Sequence, residues 1–205
     1  MKIKLAFLIL SLLLSFQSFS SSKYLINAFD RESDALLEKI TIWRHHLHQY
    51  PELSNREFKT AKYIENHLKS LGLEVKTGIA KTGLIAILKG SKPGPMVALR
   101  ADMDALPVVE KTGLPYASKE KAIFNGLDVG VMHACGHDAH MAILMGVAEF
   151  FSKYRNRIAG SIMFIFQPAE EGPPVGEEGG AKLMLKEGIF DGTKPDVIFG
   201  LHVNP

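Results

Sequence analysis

The sequence is poor in cysteine. Cys135 stands alone among 205 residues, so no disulfide can form within the chain. In an oxidising compartment an unpaired thiol is a liability unless it is buried or ligated, which makes its neighbours worth close reading. Charge of one sign is scarce as well: 24 Lys and Arg against 22 Asp and Glu leave +2, too little to argue for nucleic acid or anionic partners. There is no Gly-rich phosphate loop between a strand and a helix, and no Gly-x-Ser-x-Gly nucleophile elbow. Internal repeats and low-complexity tracts are also missing.

What is present describes a folded domain. A chain that is 46% hydrophobic and 22% charged is too apolar to stay disordered, and its length suffices to bury a core. Lys2 and Lys4 precede an apolar run from Leu5 to Leu14, and the small, polar stretch Ser15 to Ser20 follows. This pattern predicts a signal peptide over residues 1–20, export to the periplasm or beyond, and a mature chain over residues 21–205. The run falls short of the roughly 20 apolar residues a membrane span needs, so no stable span is expected after cleavage. A retained N-terminal anchor is the alternative. Cleavage after Ser20 would remove two lysines and leave the mature chain neutral.

Further along, Ser33 or Asp34 is placed to cap a helix carrying Leu36, Leu37, Ile40, Trp43 and Leu47, which stops before Pro51. Asn55 is placed to cap a second, with Phe58, Ala61, Ile64, Leu68 and Leu71 on one face and Gly72 past its end. Strands are expected at Leu84 to Leu88, Met96 to Leu99, Ser161 to Phe166 and Val197 to Leu201. Helices are expected at Ala139 to Phe151 and about Gly180 to Lys186. Such alternation predicts an α/β layer fold with a largely parallel central sheet, whose function collects at the carboxyl ends of its strands.

Polar clusters fall near those ends. His133-Ala-Cys135-Gly-His137-Asp138-Ala-His140 packs a thiol, three imidazoles and a carboxylate into eight residues. Cys135 and His137, two apart, can reach one cation, and thiolate with imidazole suits zinc and similar metals. Asp138 or His140 would orient a ligand from outside. A buried cysteine beside surface histidines is the plain alternative. Glu170-Glu171 follows an apolar strand; adjacent carboxylates repel unless a cation is near, and with one present they divide ligation and proton transfer. Alone, the pair reads equally well as a solvated acidic loop. Asp102 and Asp104 flank Met103 after a strand, where turn aspartates are common, and His202 ends another strand. His45, His46 and His48 are set apart as partly exposed or satisfied in the core.

Taken in order, Arg44 to Leu53, Arg100 to Pro107, Met132 to His140, Phe166 to Glu171 and Gly200 to His202 resemble the amidohydrolase branch of the M20 metallopeptidases. That branch includes hippurate hydrolase, N-acyl-L-amino-acid amidohydrolase and the plant indoleacetyl-amino-acid hydrolases. The resemblance implies a three-layer, zinc-exopeptidase-like domain and one or two divalent ions, zinc, manganese or cobalt. It implies Cys135, His137, Glu171 and His202 as ligands, Glu170 as general base and acid, and Asp104, then Asp102, as support. Carboxypeptidase relatives carry His-x-Asp where this chain has Asp102-Met103-Asp104, which favours acylamino acids as small-molecule substrates. It also implies a longer chain, with a lid or dimerisation domain and a homodimer in the full-length form, so that residues 21–205 are the N-terminal part of a catalytic domain that is incomplete at its C-terminal end. Two rivals stand beside hydrolysis by a metal-activated water: a truncated metal-binding remnant without turnover, and a thiol hydrolase using Cys135 as nucleophile.

Overall fold

In this computed structural model the backbone is described for residues 2–203 and the side chains for 22–203. The expected signal segment, residues 1–20, therefore lies outside the residues whose side chains are described. Helix α1 spans Lys2–Gln49. The expected start at Ser33 or Asp34 is not there, because the chain has no Gly or Pro between Met1 and Tyr50 to break the helix. The Ser33 hydroxyl instead donates to the Asp30 carbonyl inside it. Helix α2, Phe58–Ser70, ends at Leu71 with Gly72 in the left-handed region. Its cap position is Glu57, and Asn55 turns with φ 62° two residues earlier. Among the described residues no helix is long and apolar enough to cross a membrane.

Five strands form the main sheet: β1 (Glu74–Ile79), β2 (Gly83–Lys89), β3 (Lys92–Asp102), β6 (Ala159–Gln167) and β7 (Val197–Gly200), in the order β1-β2-β6-β3-β7. β6, β3 and β7 run parallel, while β1 and β2 add an antiparallel margin. The sheet is thus mixed, with its parallel half on the side that carries the polar clusters. Two short strands, β4 (Lys121–Phe124) and β5 (Leu127–Gly130), make a separate hairpin. Asn125 (φ 51°) and Gly126 (φ 81°) turn it, the two positive angles that a tight two-residue hairpin demands.

Burial on both faces explains the continuous apolar runs of the central strands. Ile162, Phe164 and Phe166 of β6, with Leu84, Ala86 and Leu88 of β2, enter one core with Ile64 and Leu68 of α2. Met141, Met145 and Ala148 of helix α3 (His137–Lys153) complete that layer, and Leu47 of α1 closes it. The intervening residues Met163, Ile165 and Ile85 face the other way, onto Met184 of helix α4 (Gly180–Lys186) and Ile189. Helices, sheet and helix make the three layers.

Register decides where the site falls. Asp102 pairs across from Gln167 and Arg100 from Gly200. The strands β6, β3 and β7 therefore expire side by side, and Glu170, Asp104 and His202 emerge at one end of the sheet. An isolated bridge from Leu53 to Ala105, with the Ala105 amide on the Glu52 carbonyl at 2.8 Å, ties the segment after α1 to the same end.

Candidate metal centre

His137 opens α3 directly over the end of β3. Its Nδ1 lies 2.7 Å from the Asp104 carbonyl oxygen, so that nitrogen carries the proton and donates it. Nε2 is then left as an acceptor, buried and without a hydrogen-bond partner. Its neighbours are carboxylate oxygens: Glu170 at 3.5 Å, Asp102 at 3.6 Å and Glu171 at 3.7 Å. A lone pair facing three negative groups is repulsive unless something positive sits among them. Ligand atoms about 2.1 Å from one cation, at tetrahedral angles, lie roughly 3.4 Å apart, close to these separations.

Other donors converge on the same point. The Cys135, His137 and His202 ligand atoms lie within 4.8 Å of one another, as do those of Asp102, His137, Glu170 and His202. His202 Nε2 is 3.7 Å from Asp102 and 4.0 Å from Glu170. His137, Asp102 and Asp104 are buried, whereas Glu170, Glu171 and His202 stay open to solvent, so the centre has a floor and an accessible side. Sulfur, imidazole and carboxylate together are a donor set that fits a divalent transition ion.

Electrostatics point the same way. Burial would lower the His137 pKa, but Asp104 and Asp102 outweigh it and hold the imidazole above its ordinary value, so proton and metal ion compete for one lone pair. Burial, with the Glu171, Glu170 and Asp102 carboxylates, pushes the Cys135 thiol up to about 11. A nearby cation would reverse that sign.

The surrounding groups are bound in turn. Asp102 accepts from His140 Nδ1 at 2.7 Å and from Arg100 at 2.6 Å, and Arg100 also donates to Gln167 at 2.9 Å. His140 Nε2 accepts the Val203 amide at 3.0 Å, so His140 has no nitrogen free for a metal. Asp104 faces the loop instead of the open side. It accepts the Glu170 amide on Oδ1 at 3.0 Å, and the Glu171 amide (2.9 Å) and Ser54 hydroxyl (2.6 Å) on Oδ2. Burial would raise its pKa; the His137 and Ser54 bonds and the two amides hold it below the usual carboxylate value.

Asp138 points away from the centre, taking His48 Nδ1 at 2.9 Å and Arg44 at 3.1 Å. His48 also reaches Glu110 at 3.2 Å, so this buried histidine is satisfied in the core, outside the site. His45 stacks on Tyr116 and His46 on Tyr63. The sequence reading missed Ser54, Glu57, Thr82 and Glu110. Polar residues in the turn Ser54-Asn-Arg-Glu57 are ordinary in a sequence, and only the burial of Ser54, Asn55 and Glu57 sets them apart.

Residues 98–205 match the family described as Peptidase family M20/M25/M40. The chain belongs to that family. Among curated proteins, it is 46% identical over 162 residues to N-acetyl-L-cysteine deacetylase of Bacillus subtilis (strain 168), covering 79% of this chain and 35% of the relative. It is 45% identical over 170 residues to N-acyl-L-amino acid amidohydrolase of Geobacillus stearothermophilus, covering 83% and 42%. Among solved structures, the YXEP protein of Bacillus subtilis, described as a dinuclear metal binding peptidase of the M20 family, superposes with a TM-score of 0.71. That match is 40% identical and covers 84% of this chain and 44% of that one. This M20 chain thus spans about two-fifths of the length of the curated relatives it matches.

Proposed function

We propose that this M20 chain carries a divalent metal centre for hydrolysing the amide bond of N-acyl amino acids. One observation carries the reading: the buried, unpartnered Nε2 of His137 faces three carboxylates, with Cys135 and His202 beside it. Cys135, His137, Glu171 and His202 would hold the ion, and Asp102 stands near enough to assist. The deacetylase and amidohydrolase relatives support the substrate class, and the dinuclear neighbour supports room for two ions.

A bound divalent ion would supply Lewis acidity, polarising an acyl carbonyl and lowering the pKa of water toward about 7. The residues of this chain do the remainder. Glu170, solvent-open at the rim, takes the proton from water on a carboxylate oxygen and returns it to the departing nitrogen. Asp104 holds the Glu170 and Glu171 amides, so the two carboxylates keep separate tasks. Asp102, locked by Arg100 and His140, would hold its carboxylate beside a bound ion.

Zinc titration of the metal-free chain tests the centre, and turnover of N-acetyl amino acids tests the chemistry. Cys135→Ala should weaken zinc binding, and unchanged zinc content would remove it from the ligand set. Glu170→Gln should abolish turnover and spare metal; near-normal kcat would refute its role. Zinc binding without turnover would favour a metal-binding part that needs further chain, a reading that the two-fifths span keeps in view. Activity that survives chelation and dies on alkylation would instead point to Cys135 as nucleophile. We infer export from Lys2, Lys4 and the Leu5 to Leu14 run; N-terminal sequencing of the native protein should begin after Ser20, and a retained Met1 would refute cleavage.

A further inference from the structure

Three consecutive amides carry the Glu170-Glu171 loop, and all three donate to buried carboxyl groups. Glu170 and Glu171 use Asp104. The Ala169 amide donates to Glu57 Oε1 at 2.8 Å, and the Thr82 hydroxyl donates to Glu57 Oε2 at 2.5 Å. Glu57 itself is wholly buried, and its hydrogen bonds run to Thr82 and Ala169, not to the groups assembled around His137 Nε2. A buried carboxyl group needs such partners to be tolerated at all, but its placement answers a second need.

Ala169 has a φ of 48°, in the left-handed region that costs a residue with a Cβ about 1 kcal/mol or more. Among the described residues, the non-glycine residues with positive φ gather around this one loop. Ala80 (49°) and Lys81 (77°) make the turn that presents Thr82 to Glu57. Asn55 (62°) donates through its side chain to the Glu178 carbonyl and the Glu177 carboxylate at the far end of the loop. Asn125 accepts the Val175 amide from the hairpin side. Asparagine tolerates the left-handed region, as the Asn125-Gly126 turn needs; at Ala169 the conformation is strained and persists only where surrounding bonds impose it, and Glu57 supplies the bond at the residue that sets the direction of Glu170.

We propose that Glu57 is a positioning residue: by gripping the Ala169 amide against Thr82 it imposes the left-handed turn that aims Glu170 and Glu171 at the metal centre. This rests on the metal-centre reading for its consequence, though not for its geometry. Glutamine at 57 keeps the arrangement, since its oxygen accepts the Ala169 amide while its NH2 donates to the Thr82 hydroxyl. Alanine at 57 abolishes it. Glycine at 169 removes the penalty that Glu57 offsets, so it should compensate for the loss of Glu57, which a residue that merely filled space would not allow.

The experiment uses the full chain carrying Glu57→Ala, Glu57→Gln, Thr82→Val, Ala169→Gly and the pair Glu57→Ala with Ala169→Gly. Two quantities are read: amide hydrogen exchange at Ala169, Glu170 and Glu171 in metal-free protein, and zinc affinity. Losing both Glu57 hydrogen bonds, that to the Ala169 amide among them, should speed exchange at those amides and weaken zinc binding about tenfold in Glu57→Ala. Glu57→Gln should stay near the parent, and the pair with Ala169→Gly should recover most of the loss. Should Glu57→Ala fail to fold, Thr82→Val, close in shape, removes the bond that holds Glu57 against the Ala169 amide and should speed exchange there by a smaller factor. Unchanged exchange at residues 169–171 in Glu57→Ala or Thr82→Val overturns the proposal, as does a pair no better than Glu57→Ala alone. If the parent binds no zinc, the metal-centre reading fails, and exchange still decides the role of Glu57.

Discussion

Glu57 should make stability depend on pH in a direction opposite to most carboxylates. Burial raises its pKa from 4.5 to about 7, against the pull of the Thr82 and Ala169 hydrogen bonds. Between those two values the folded chain keeps a proton that the unfolded chain has lost. Stability from this group is therefore greatest at low pH, falls as pH rises from 4.5, and levels off once the pH passes about 7. A shift of about 2.5 units corresponds to about 3 kcal/mol. The parent alone would hide the effect. The His133 pKa is lowered by burial from 6.5 to about 4, so that residue adds stability as pH rises through nearly the same window. Glu57→Gln separates the two, because glutamine keeps both hydrogen bonds and cannot ionise. Urea unfolding of parent and variant, with chelator present, gives the difference in stability at each pH. The variant should gain on the parent by about 3 kcal/mol between pH 4.5 and about pH 8. A difference that stays constant to within about 1 kcal/mol, or runs the other way, would refute the buried, proton-holding carboxyl group.

Two further substitutions probe the frame around the site. Gly160→Ala would place a Cβ 1.9 Å from the Pro95 carbonyl oxygen at a φ of 87°, where β6 crosses the start of β3. It should cost about 3 kcal/mol or more in urea unfolding, and a loss under about 1 kcal/mol would show that the two strands can part there. His48→Leu removes one partner from each of two carboxylates, Asp138, which keeps Arg44, and Glu110, which keeps Thr112 and the Ser118 amide, and should destabilise by about 2 to 3 kcal/mol near pH 6. The His48 pKa is raised, first by its bond to Asp138 and against burial, so its contribution is full below 6.5 and is lost as pH rises through the raised value. The penalty should accordingly shrink in alkaline buffer; one that grows would contradict a charged His48.

The sequence by itself determined most of the helices, the central strands β2, β3, β6 and β7, and the chemistry of the donors. Apolar runs such as Ser161 to Phe166 are legible because a strand buried on both faces needs no alternation, and β6 lies there. Cys135 and His137 are legible as a candidate ligand pair because thiol and imidazole two residues apart have few other uses, and their donor atoms do lie within 4.8 Å of each other and of His202. The Asn125-Gly126 turn was legible too, and with it the β4–β5 hairpin, although the expected strands left it out; the dipeptide is the signal a tight hairpin gives. The run from Lys2 to Gln49 misled at Ser33, since a residue able to cap a helix does so only where the helix begins.

What only the tertiary structure decided is which polar groups became structural. Asp102 and Asp104 are indistinguishable in sequence, two apart on one strand end. Strand alternation alone would set both on one face; β3 ends at Asp102, and the turn of the chain beyond it gives Asp102 to His140, Arg100 and the centre, and Asp104 to the amides of Glu170 and Glu171. Glu57 looks like a surface residue in a polar turn, and His48 like a helix-end histidine either partly exposed or satisfied in the core; burial makes each a partner for groups 25 to 112 positions away. The reason is physical. A side chain's charge and hydrogen-bonding capacity are fixed by its identity, whereas its exposure and its partners are set by strand register and helix packing across distant parts of the chain.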